Sequence, residues 1–93
     1  MSQTAFELVN FLAAASPRVP TKQAILSALY PNSEQPLLKI IDVWVCKARK
    51  LLDGHPFAIR TQWGEGYYMD QDDAIRWQEL VQAASSGKQE EAA

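Results

Sequence analysis

From Pro36 to Leu52 the chain runs seventeen residues, PLLKIIDVWVCKARKLL, without a glycine, and stops at Asp53-Gly54. At 100° per residue, Leu37, Leu38, Ile41, Trp44, Val45, Ala48, Leu51 and Leu52 gather on one side. That spacing predicts an amphipathic helix with a wide core-facing stripe. Pro36 falls in its first turn, where a missing N–H costs nothing, and Gly54 and Pro56 stop it beyond the end. The opposite side carries Lys39, Val43, Cys46, Lys47 and Lys50, flanked by Asp42 and Arg49. One acid beside four cations leaves two readings. The face is either the solvated side of an ordinary helix or a surface for a DNA major groove. In the second reading the cations meet phosphates and base acceptors, and Val43 meets a thymine methyl.

The surrounding chain decides between them. Residues 5–15, AFELVNFLAAA, are apolar almost all round, interrupted only by Glu7 and Asn10. They predict a first helix covered on more than one side, with Ser2 or Thr4 as its N-cap. Ser16-Pro17 ends it, and Thr21 caps a short helix over 22–30 in which Ala24, Ile25, Ala28 and Leu29 share a face. Tyr30–Pro36 is a connecting loop. Beyond the long helix the period changes: residues 58–62 and 67–69 read as strands, with Trp63-Gly64-Glu65-Gly66 supplying two glycines for a tight reversal. Asp72 and Asp73 favour a fourth helix start, and Trp77, Leu80, Val81 and Ala84 share a face to about residue 84. The closing SSGKQEEAA has the composition of a disordered tail.

The fold class is therefore mainly α with a small β-hairpin. The order of elements is that of a winged helix-turn-helix, three helices plus a wing, over residues 1–70. An extra C-terminal helix follows at 71–84 and a disordered tail at 85–93. With 93 residues the chain holds one small core. No run of about eighteen apolar residues marks a membrane span, and Met1-Ser2-Gln3-Thr4 lacks the basic start of a signal peptide. Both point to the cytoplasm, as does a single cysteine that can form no internal disulfide. One Cys and one His fall short of the four ligands of a structural zinc, and Cys46 with His55 lack the third group of a catalytic set. No enzyme, cofactor, metal or small-molecule substrate is expected.

Net charge is −2, which argues against a nucleic-acid partner until its distribution is seen. Residues 18–60 carry a balance of +4 and residues 61–93 a balance of −5. A basic middle is joined to an acidic end.

Lys39-Ile40-Ile41-Asp42-Val43-Trp44-Val45-Cys46-Lys47-Ala48-Arg49-Lys50-Leu51-Leu52, followed by Ile59-Arg60-Thr61-Gln62-Trp63-Gly64-Glu65-Gly66-Tyr67, resembles the OmpR/PhoB-type DNA-binding domain of bacterial response regulators. The wording is nearest that of a cell-cycle regulator of that type. The resemblance implies that Lys39, Val43, Lys47 and Arg49 lie at recognition-helix positions that touch bases or phosphates. It puts Thr61 at a wing position that meets the backbone, and Trp63 where many members carry an arginine that enters the minor groove. It also implies that the Tyr30–Pro36 loop corresponds to a segment that touches RNA polymerase in some members. Lys50 and Cys46 join the candidates from the outer face of the helix, and Lys22 and Arg60 as phosphate contacts.

The resemblance lacks two parts of the family pattern, the receiver domain and a four-stranded sheet before the first helix, so a stand-alone regulator is expected. Glu65 sets a carboxylate at the wing turn, where it repels phosphates. The expected function is sequence-specific binding of double-stranded DNA and transcription regulation in the bacterial cytoplasm. The alternative is a protein-interaction module that docks on RNA polymerase or a related regulator, motivated by the overall acidity and Glu65. The apolar first helix and the stripe at 77–84 either pack on each other within one chain or pair two protomers as a homodimer.

Overall fold

The computed structural model of the protein describes residues 3–31 and 35–92, with side chains described through residue 84. The elements are α1 (Gln3–Ala15), α2 (Lys22–Leu29), α3 (Ile40–Leu51), β1 (Arg60–Gln62), β2 (Gly66–Tyr68) and α4 (Gln71–Ala92). They form a mainly helical winged-helix domain with a two-stranded antiparallel hairpin.

Everything packs around α1. Its Ala5, Leu8, Val9, Leu12 and Ala13 are buried, and it touches α2, α3, α4 and β2. An apolar wrap with so few polar breaks needs partners on several sides, and the fold supplies them. The helix already includes Thr4, and Ser2 lies outside the described residues. After its end the Ser16 hydroxyl donates to Met69 O at 2.9 Å, tying the first turn of chain to the end of the hairpin.

Thr21 caps α2 as its position predicts, its Oγ1 accepting from the Ala24 N–H at 3.0 Å. The face of α2 differs from expectation. Ile25 and Leu26 are buried and Leu29 half-buried, while Ala24 and Ala28 face solvent. A stripe through Ile25, Leu26 and Leu29 buries more apolar area than one through two alanines, so the helix turns toward it.

α3 begins later than its sequence suggests. Ile40, Ile41 and Asp42 donate to Leu37 O, Leu38 O and Lys39 O at 3.0, 3.1 and 3.1 Å, so a tight turn precedes the α-helical bonds. Pro36 is thus not in the first turn of the helix. The turn throws Leu37 and Leu38 out of register with the stripe, and they are 75% and 42% exposed. The stripe itself holds: Ile41, Val45, Ala48 and Leu52 are buried, with Trp44 and Leu51 half-buried. The helix is capped at Leu52, two residues before the expected Gly54. Gly54 takes its left-handed φ of 84° in the turn that follows, closed by the His55 N–H on Leu52 O at 3.0 Å.

The strands are shorter than expected, three residues each, paired Arg60↔Tyr68, Thr61↔Tyr67 and Gln62↔Gly66. Glu65 N–H donates to Gln62 O at 3.0 Å across the reversal, with Gly64 at φ 83° in the third turn position. Gly66 is needed for a different reason. A Cβ there would sit 2.0 Å from Pro20 O, because the hairpin is bridged to Thr21 in front of α2. Tyr67 and Met69 face the core, and Tyr68 is half-buried.

α4 folds back on α1. Trp77 is buried, its ring 5.5 Å from Phe6 and edge-on to Phe57 at 5.8 Å, and its Nε1–H donates to Asn10 Oδ1 at 2.7 Å. Asn10, a break in the apolar wrap of α1, is therefore the partner that a buried indole N–H requires. Ala74 and the half-buried Val81 complete the contact. Leu80 is 47% exposed and Ala84 faces solvent, so the packed stripe is narrower than 77–84 predicts. The backbone also stays helical to Ala92 instead of leaving residues 85–93 as a tail, with Ala93 outside the described residues. A helix already nucleated by its packed half propagates one bond per residue, here through Ser85, Ser86 and Gly87 despite their low helix propensity. No helix among the described residues is long and apolar enough to cross a membrane.

Trp77→Ala is expected to cost about 3–5 kcal/mol, the range for deleting a buried aromatic, measured by urea unfolding. A loss under about 1 kcal/mol, the scale of a surface substitution, would mean that α4 is not part of the core.

Candidate nucleic-acid interface

The outer face of α3 presents Lys39, Val43, Cys46, Lys47 and Lys50 to solvent, Val43 being 46% exposed. They lie together because they occupy the side of the helix opposite Ile41, Val45 and Ala48. Lys39 sits at the cap position of α3, within the tight turn, rather than inside the helix. The Lys47 ammonium lies 5.0 Å from the Trp44 ring centroid, which steadies the cation at the surface. Trp44 is held in turn, its Nε1–H donating to Tyr30 Oη at 3.0 Å.

Three other candidate cations are placed differently. Arg49 donates through Nε and Nη2 to Ile59 O, at 3.2 and 2.9 Å, and through Nη2 to Thr61 Oγ1 at 2.9 Å. Its guanidinium stands 5.7 Å from the centroid of the Tyr67 ring. Arg60 pairs with Asp70 at 2.6 Å, where the hairpin meets the start of α4. Lys22, at the first turn of α2, pairs with Asp42 Oδ1 at 3.1 Å. A phosphate reaching Lys22 or Arg60 has to displace a carboxylate.

Trp63 is 87% exposed at the wing tip, so it does not cover the core beneath the hairpin. Glu65 is exposed beside it. Between the wing, the start of α2 and α3 lies an open cleft of about 640 Å³, lined by Lys22, Gln23, Leu38, Arg49, Thr61, Trp63 and Tyr67 among others. Residues 32–34 of the Tyr30–Pro36 loop lie outside the described residues.

Two residues absent from the sequence-based candidates join these parts. Tyr67 Oη donates to Asp42 Oδ1 at 2.5 Å, and the same carboxylate meets Lys22. The Tyr67 hydrogen bond first, and then Lys22, hold the Asp42 carboxyl below its ordinary pKa. Burial, and then the bond to Asp42, push the Tyr67 phenol up to about 12. The lone acid among the cations of α3 was the available signal for this contact. Its partners lie twenty and twenty-five residues away, where no helical spacing reaches. Among the described residues no cluster of His, Cys, Asp or Glu is arranged to hold a metal ion.

The two shifts work at opposite ends of the pH scale. A phenol raised from 10.0 to about 12 contributes stability that is complete below pH 10 and lost as pH rises toward 12. A lowered carboxyl contributes stability present above its ordinary value of 3.8 and lost as pH falls through the folded value. Spectrophotometric titration should find one tyrosine ionising near pH 12, and Tyr67→Phe should remove that transition. Its survival in the variant would assign it to another tyrosine.

A family model described as "Transcriptional regulatory protein, C terminal" matches residues 1–69. Proteins named cell cycle response regulator CtrA from Brucella ovis, Brucella abortus and Brucella anthropi are each 39% identical over 72 residues, 74% of this chain and 31% of theirs. The chain thus spans about a third of the length of these relatives.

Proposed function

Because this chain belongs to the transcriptional regulatory protein C-terminal family, the OmpR/PhoB-type DNA-binding domains of bacteria, we propose that it binds double-stranded DNA sequence-specifically through the outer face of α3. The family is one of DNA-binding transcription regulators and not an enzyme class. α3 lies in the major groove, with Lys39, Lys47 and Lys50 on phosphates and base acceptors and Val43 and Cys46 against base edges. Trp63 reaches the flanking minor groove from the wing tip. Thr61, Arg49 and Lys22 line the cleft between the wing, α2 and α3 and serve first to hold the wing and α2 on α3. Arg60, a further phosphate contact, is paired with Asp70 at the start of α4. One module of this size covers a short site, so two copies on adjacent half-sites supply the specificity. The setting is the bacterial cytoplasm.

The observation that carries this reading is the sorting of charge on α3. The exposed face keeps three lysines, while the one acid of the helix is bound to Tyr67 and Lys22 at its edge. A helix kept charged only for solubility has no need to tie up its single acid.

A second reading has its own observation. Leu37, 75% exposed, and Leu38, 42% exposed, stand beside the Tyr30–Pro36 loop and offer apolar contact to a protein. Docking on RNA polymerase or a related regulator through this end of α3 is compatible with DNA binding, or replaces it.

Fluorescence anisotropy on duplex DNA, titrated with salt, separates the two. Three phosphate contacts give a slope of log affinity on log salt of about −3. Lys47→Ala should flatten that slope by about one if Lys47 meets a phosphate, and weaken a specific site by about 1–3 kcal/mol if it reads a base. Absence of binding at low salt, for the parent and the variant alike, would leave protein docking as the function.

A further inference from the structure

We propose that Tyr67, through its hydroxyl on Asp42, is a positioning residue that locks the wing to the recognition helix, so that the two engage DNA as one rigid unit. The inference rests on the DNA-binding reading of α3. Its ground is a coincidence of register. Thr61 and Tyr67 are partners across the hairpin, one from each strand. Arg49 holds Thr61 at 2.9 Å and Asp42 holds Tyr67 at 2.5 Å. Asp42 and Arg49 are seven residues apart on α3, two turns along the same face. One edge of the helix therefore grips both strands at a single rung.

The hairpin needs that grip. Two strands of three residues, paired with each other and bridged to the rest of the chain only between Gly66 and Thr21 among the described residues, have little stability of their own. Ile59 and Met69 are anchored in the core at its base, and Gly66 is pressed against Pro20. Those contacts hold the base of the hairpin to the domain core, which Ile41 and Val45 of α3 share, but they do not fix the upper rungs of the wing. Among the described residues, the hydrogen bonds that tie the wing to the helix that faces DNA come from Asp42 and Arg49. Arg49 can trade its bonds for a phosphate. The Tyr67 hydroxyl, buried against a carboxylate, has no such exchange available.

The consequence is coupling between wing and helix, which a merely structural tyrosine would not produce. Binding to a duplex selected by the parent protein is measured for the parent, Trp63→Ala, Tyr67→Phe and the double variant, at a temperature where all are folded. In the parent, Trp63→Ala should weaken binding about tenfold, the equivalent of one lost contact. In the Tyr67→Phe background the same change should cost less than about twofold, because a wing cut loose no longer places Trp63. Asp42→Asn keeps an oxygen for the Tyr67 hydroxyl and should preserve the coupling, whereas Asp42→Leu should abolish it. Equal costs of Trp63→Ala in both backgrounds would overturn the proposal. So would a Trp63→Ala that binds like the parent, although a loss on Lys47→Ala would then still uphold DNA binding by α3. A parent that binds no duplex at low salt would overturn the DNA-binding reading itself, and this proposal with it.

Discussion

Two oxygens of Asp42 hold three elements together. Tyr67 brings the return strand of the wing to them, Lys22 brings the first turn of α2, and Asp42 itself stands on α3. A bond to an ionised acceptor is stronger than one between neutral groups, and 2.5 Å is at the short end for a hydroxyl on a carboxylate. The carboxylate remains partly exposed, so it is never fully stripped of water and needs no full compensation for burial. The arrangement therefore contributes more to orientation than to raw stability. Removing Asp42 would take away one of the polar ties that orient the wing and α2 on the helix between them, leaving Arg49 and the core to hold them. It would also leave the Tyr67 hydroxyl without its acceptor.

Stability comes from α1 and the surfaces that close over it. Leu8, Val9 and Leu12 are fully buried, along with Ile25, Ile41, Val45 and Met69 from the elements around them. α4 covers a further side through Trp77, anchored by the Asn10 carboxamide. The acidic end of the chain thus begins on the flank of the domain, reached from the wing through Asp70 and its pair with Arg60. Asp72 and Asp73 are used locally. They favour the start of α4, and Asp73 accepts from the Ala58 N–H at 3.2 Å.

What could be read from the sequence is what local rules govern. The period of residues 41–52, the Thr21 cap, the two-glycine wing and the break at Ser16-Pro17 act within a few residues, and each led to the right element. The errors lie where the outcome depends on distant partners. Leu37 and Leu38 carry the right type for a core stripe, but a tight turn before Ile40 rotates them out. Ala24 and Ala28 fit a face on paper, yet the larger Leu26 wins the contact. Arg49 reads as one more cation of the outer face. Its hydrogen bonds go to residues ten and twelve positions on, set by how the hairpin docks. The candidate face itself was legible, because exposure of Val43, Cys46, Lys47 and Lys50 follows from the helical period alone, while Lys39 is exposed from the turn ahead of it.

The central claim is that this lysine face, with the wing tip beside it, is the surface that meets DNA. Titrating isotope-labelled protein with a short duplex, and following backbone amide shifts by NMR, tests it most directly. The largest changes should fall on residues 39–50 and on Trp63, with α4 silent beyond its first turn. Changes confined to α4 or to residues 35–38, with residues 43–50 unmoved, would contradict it.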